Sequence, residues 1–144
     1  MTTLVRHMLA GKPHVHAVDP DDTVLHALRV MADRNIGAVL VTSGGALVGI
    51  LSERDYARKM VLHGKSSHET VVREVMTGTV HSVTPEWTCD QCMALMTDKH
   101  IRHLPVVEND ALIGVISIGD VVRAVVDVQQ STISTLQNYI MSAG

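Results

Sequence analysis

Among its 144 residues the chain has no phenylalanine, one tryptophan (Trp87) and two tyrosines (Tyr56 and Tyr139). Its core must therefore be aliphatic, and an apolar share of 46% is ample to build one. Cysteine is scarce too. Cys89 and Cys92 are the only two, too few for the disulfide scaffold that holds together many small secreted domains, so the expected compartment is cytoplasmic. No basic run is long enough to track a nucleic-acid backbone, and the formal net charge is −3 with neutral histidines, which speaks against nucleic acid as a partner. No apolar run approaches the ~20 residues that span a bilayer, so no membrane partner is expected. The opening MTTLVRHMLAGKP lacks the apolar centre and small-residue cleavage site of a signal peptide.

What the chain does have is an internal repeat. A shift of 65 aligns residues 15–61 with residues 80–126 without a gap, from VHAVDPDDT against VHSVTPEWT to RDYARKMV against GDVVRAVV. Identities fall at Val18/Val83, Pro20/Pro85, Thr23/Thr88, Met31/Met96, Ile36/Ile101, Val41/Val106, Gly49/Gly114, Ser52/Ser117 and Asp55/Asp120, among others. One unit thus explains both halves.

Each unit reads as strand, helix, strand, strand, helix. Pro20 and Thr23 supply the turn and N-cap of a helix over TVLHALRVMADRN, where Val24, Leu28 and Met31 recur at helical spacing. The apolar runs IGAVLVT and ALVGILS are separated by SGG, and LPVVE and ALIGVIS by ND, which are hairpin signals. SERDYARKMVLHG and SIGDVVRAVVDV close the units, the first with Gly64 as a C-cap. The boundaries that follow are an N-terminal segment at 1–10, a first repeat at 11–64, a linker with a short helix at 65–77, a second repeat at 78–128 and a separate C-terminal helix at 129–144, opened by a Ser/Thr cap. The fold class is α/β (α+β), with two β-α-β-β-α repeats packed as a pseudo-twofold pair, since one unit of ~50 residues is too small to be stable alone.

Both GILSERD and GVISIGD end an apolar run in Ser-x-x-Asp. This is the capping box that starts a helix, and it is equally a hydroxyl, a carboxylate and free backbone N–H groups at a helix N-terminus, suited to a phosphate and a sugar. In order and in duplicate, these phrases with NIGAVLVT, HIRHLPVVE and the openings VDPDDT and VTPEWT resemble a tandem pair of cystathionine-β-synthase (CBS) domains, over residues ~11–128. The resemblance implies a site that combines the Ser-x-x-Asp of one repeat with the opening and post-helix strands of the other. Carried over position by position, one site would take Ser52, Asp55 and Arg54 with Gly78, Val80, Ile101, Arg102 and His103. The other would take Ser117 and Asp120 with Pro13, His14, Ile36, Gly37 and Ala38. It further implies carboxylates on the ribose hydroxyls, serines and helix N-termini on phosphate, and Ile36 or Ile101 against adenine. The first site, holding Arg102, His103 and Arg54, is expected to take the charged ligand.

Other signals read as packing. CDQC at residues 89–92 has redox or metal spacing, yet Cys89 and Cys92 align with Val24 and Ala27 of the first repeat. The histidines His14, His16, His100 and His103 lack the spacing of a closed metal site. No nucleophile is followed by a base and an orienting group, so the chain is not expected to be an enzyme, and no obligatory cofactor is expected. Two functions remain: a regulatory sensor of an adenosyl ligand (AMP, ADP, ATP or NAD) that signals to a regulated protein, or a dimeric interaction scaffold with a vestigial cleft. A homodimer joined through helices is expected from the aliphatic helix faces and the stripe Ile133, Leu136, Ile140.

Overall fold

Both expected hairpins are present in the computed structural model, which describes residues 2–12 and 15–143. The described residues divide into two units: 15–81 with 109–112, and 2–12, 82–108 and 113–143. In the first, β1 (Ala17–Val18) runs parallel to β2 (Ala38–Ser43), which pairs antiparallel with β3 (Ala46–Ser52). The turn falls on Gly44 and Gly45, both at positive φ, as a tight hairpin requires. A second hairpin pairs β4 (His103–Glu108) with β5 (Ala111–Ser117), and Asn109 and Asp110 take the positive φ values of its turn.

The helices follow the caps. In α2 (Val24–Arg34) the Thr23 hydroxyl accepts the His26 N–H, and Val24, Ala27 and Met31 are buried. In α4 (Cys89–Lys99) Thr88 and Gln91 cap each other reciprocally, and Cys89, Cys92 and Met96 take the equivalent buried places. α3 (Glu53–Lys59) starts at Ser52, and Gly64 ends the short 3-10 turn after it in the left-handed conformation. The CDQC cysteines are packing residues here, 2% and 0% exposed, and burial together with the neighbouring Cys89 pushes the Cys92 thiol up to about 11. Neither thiol should react with an aromatic disulfide reagent at pH 8 until guanidinium unfolds the chain. Rapid labelling of the native protein would show that α4 does not bury that face.

Three segments differ from the sequence-based expectation. The linker helix expected around VVREVM is a single 3-10 turn at Val72–Glu74. The expected C-terminal helix is not separate: α5 runs unbroken from Ile118 to Ala143. No glycine or proline follows Gly119 within it, and the Ser/Thr cluster does not cap. Instead the Thr132 and Thr135 hydroxyls donate to the carbonyls of Val128 and Ser131, four residues back. Finally, the N-terminal segment is part of a core. It holds α1 (Val5–Leu9), with Val5 fully buried among Val83, Cys92, Leu104, Val106 and Ile116.

That segment has a counterpart. The Val5 and Arg6 N–H groups donate to the carbonyls of Trp87 and Pro85, as those of Val72 and Arg73 do to Asp22 and Pro20 in the other unit. TLVRHML (residues 3–9) aligns with TVVREVM (residues 70–76) at a shift of 67, so each repeat is completed by a strap outside the 65-residue alignment.

Candidate functional site

Hairpin geometry decides which residues surround each Ser-x-x-Asp. In an antiparallel pair the start of one strand lies beside the end of the next, and Ala38 is indeed registered against Ser52. The Glu53 N–H donates to the Gly37 carbonyl at 3.0 Å, and the Ile118 N–H to the Arg102 carbonyl at 2.8 Å. Gly37 and Ala38 therefore sit at Ser52–Asp55, and Arg102 and His103 sit at Ser117–Asp120, each set within its own unit. Resemblance had grouped Arg102 and His103 with Asp55, and Gly37 and Ala38 with Asp120.

Around Asp55 the groups are modest. Its carboxylate accepts the Ser52 N–H at 3.0 Å and the Thr77 hydroxyl at 3.3 Å, and pairs with Lys59 Nζ at 3.2 Å. Lys59 also donates to the Val75 carbonyl. Gly78 follows Thr77 and has open space around its Cα, Val80 is half-buried, and Arg54 and Ile36 are exposed.

Around Asp120 the charge is concentrated. The side chain is 11% exposed and accepts the Ser117 N–H at 2.8 Å and Arg123 Nη2 at 2.6 Å, with Lys12 Nζ as a third donor. Burial pushes this carboxyl up, but the hydrogen bonds from Lys12 and Ser117 outweigh it and hold the group below the usual carboxylate range. The stability it contributes is thus present above the ordinary carboxylate value and lost as pH falls through the lowered one. His103 is pushed below the usual histidine range, first by desolvation and then by Lys12 and Arg102, against the pull of Asp120. Lys12 and Arg123 thus gather on one carboxylate at the N-terminus of a 26-residue helix, with His103 near it and Arg102 next to His103. Ile101 packs on the core beneath. An excess of cationic groups beside free helical N–H groups suits an anion.

Pro13 and His14 lie outside the described residues. Among the described residues no group of three His, Cys, Asp or Glu side chains is placed to hold a metal ion. Sequence reading missed Lys12, 108 residues from its partner Asp120. The alignment of TLVRHML with TVVREVM marks residues 3–9 as a strap, but only the structure places that strap on the unit that holds Asp120.

Comparison with known proteins gives matches to the CBS domain at residues 5–62 and 72–127, which take in most of each strap. The mitochondrial CBS domain-containing protein CBSX3 of Arabidopsis thaliana is 46% identical over 125 residues, covering 83% of this chain. The chain spans 61% of that relative's length. A CBS-domain protein from Burkholderia ambifaria superposes with a TM-score of 0.81 at 46% identity, covering 87% of this chain and 95% of its own. A structure of CBSX2 in complex with AMP gives a TM-score of 0.72 at 25% identity, covering 88% of this chain and 98% of its own.

Proposed function

Because the chain belongs to the CBS-domain family, we propose that it is a regulatory module that binds an adenine nucleotide and signals its presence to a partner protein. The observation that carries this reading is the pairing of Lys12 and Arg123 with Asp120, with His103 and its neighbour Arg102 alongside. A carboxylate offers about four lone-pair positions, and the Asp120 carboxylate receives three donors, which leaves room for a ribose hydroxyl. The cations supply what a phosphate requires. An AMP-bound neighbour in the same family supports adenosine as the rest of the ligand. Asp55, paired with Lys59 and hydrogen-bonded by Ser52 and Thr77, is assigned the weaker or uncharged ligand.

Titration calorimetry with AMP, ATP and adenosine tests this. Asp120→Ala should cost about 1.5–3 kcal/mol, or ten- to a hundredfold in affinity, for all three. Lys12→Ala and Arg102→Ala should weaken AMP and ATP and spare adenosine. Binding has a proton signature as well. His103 is held below the usual histidine range by burial and by Lys12, and a phosphate beside it raises its proton affinity, so AMP affinity should climb as pH falls from 7.5 to about 6 by more than it does in His103→Gln. A folded Asp120→Ala protein with unchanged affinity sinks the assignment, as does equal loss for AMP and adenosine in Lys12→Ala. Absence of any adenosyl binding leaves the scaffold reading in its place.

A further inference from the structure

Each unit is completed by a strap, and the two straps end differently. The strap of the first unit is knitted to β3, where Thr77 and Ile50 exchange backbone hydrogen bonds at 2.8 and 3.0 Å. At the shift of 67, Thr77 corresponds to Ala10. Ala10 makes no such pair. α1 runs on to Leu9, whereas the equivalent 3-10 turn stops at Glu74, so the Ala10 N–H is spent on the His7 carbonyl at 3.3 Å. Among the described residues, no backbone hydrogen bond joins residues 10–12 to anything beyond their own strap. All three are exposed, while Thr77 is half-buried.

A side chain takes the place of the missing backbone pair. Lys12 Nζ reaches Asp120, as the Thr77 hydroxyl reaches Asp55 at 3.3 Å in the first unit. Up to Leu9 the strap is anchored by apolar contact, since Val5 is fully buried and Met8 and Leu9 pack on the same core. Beyond Leu9 the chain turns at Gly11, at a φ of +77° with nothing within 4 Å of a Cβ, and its far end is fastened by the Lys12–Asp120 ion pair. Resting on the nucleotide reading of this site, we propose that residues 10–12 are a latch which a phosphate-bearing adenosyl ligand closes on Asp120, so that this tail reports occupancy.

Without ligand the fastening is weak. The Lys12 side chain is partly solvated, a pair of that kind contributes little, and the tail has few buried contacts to hold it otherwise. A phosphate changes the balance. An ammonium has three donors, and Asp120 takes one of them, which leaves two for phosphate oxygens. Lys12 meets Asp120 and the phosphate together only when the tail is closed, so the ligand binds the closed tail more tightly than the open one. That difference is what a ligand needs in order to shift a conformation. Adenosine offers Lys12 no phosphate and leaves the tail as it was. Because residues 10–12 are exposed, their closing alters a surface that a partner protein can read.

Amide hydrogen exchange on the full chain, followed residue by residue by NMR at one pH, tests the latch. Saturating AMP should slow exchange at Ala10 by about fivefold or more, and saturating adenosine should not. In the ligand-free protein Lys12→Gln, which keeps the length and removes the charge, should speed exchange at Ala10 and leave it unchanged at Val5, whose N–H is held by the Trp87 carbonyl. Gly11→Ala meets no atom but is strained at positive φ, so it should speed Ala10 exchange and weaken AMP by about fivefold or more while sparing adenosine. AMP that binds by calorimetry yet slows Ala10 no more than adenosine does overturns the latch and leaves the nucleotide reading standing. Absence of AMP binding removes the nucleotide reading, and closure by ligand with it. Unchanged Ala10 exchange in ligand-free Lys12→Gln overturns the ion pair as the fastening, whatever binds.

Discussion

Replacing Val5 by Asp should abolish the cooperative folding of the unit built around the second repeat, the largest effect expected of any single change outside the repeat alignment. Val5 is fully buried among Val83, Leu104, Val106 and Ile116. Its N–H is spent on the Trp87 carbonyl at 2.8 Å, so the backbone cannot turn the side chain outward without losing that bond. A carboxylate forced into this apolar setting costs several kcal/mol, or is neutralised at a similar cost. Against a total stability of ~5–15 kcal/mol for a domain, that leaves little margin. Val5→Ala, which removes about 1.5–3 kcal/mol of burial, should fold with a melting temperature lower by roughly 5–10 °C. Arg6→Ala is the control, because its pairs with Glu86 and Glu108 are exposed and worth no more than ~1 kcal/mol. Thermal unfolding followed by circular dichroism orders the three. A Val5→Asp protein that melts like wild type would remove α1 from the core.

Gly49→Val should be nearly as damaging in the other unit. A Cβ at Gly49 would lie 2.6 Å from Met76 Sδ and 3.1 Å from the Thr77 carbonyl oxygen. The methionine side chain can swing away, but the carbonyl cannot: Ile50 and Thr77 exchange backbone hydrogen bonds at 3.0 and 2.8 Å, which hold the strap on β3. Two further methyl groups then either push the strap off or distort the strand, at about 1–3 kcal/mol, and Ala should cost less than Val. Gly114 repeats the arrangement, where a Cβ would meet Leu9 Cδ2 at 2.5 Å. Gly78→Ala, with nothing within 4 Å, should be harmless. Chemical denaturation of the three variants gives the comparison, and equal midpoints for Gly49→Val and Gly78→Ala would show that the strap does not press on the strand.

Much of this was legible in the chain. The repeat, the helix caps at Thr23 and Thr88, the turns at Gly44–Gly45 and Asn109–Asp110 and the two Ser-x-x-Asp helix starts are local signals, each set by neighbours a few residues apart. The same locality misled at the Ser/Thr cluster of α5, where hydroxyls can cap a helix or bond back along it, and only the continuing helix below decided between the two.

The sequence by itself thus determined the family, the repeat unit and the two acidic helix starts, because periodicity and capping act over a few residues along the chain. Tertiary structure alone decided what stands beside each acid. Antiparallel pairing carried Arg102 and His103 to Asp120, and the packing of Val5 and Leu9 under the second repeat brought Lys12 to the same carboxylate across 108 residues. No pattern along the chain encodes a contact of that span, since it follows from which apolar faces cover each other and not from spacing.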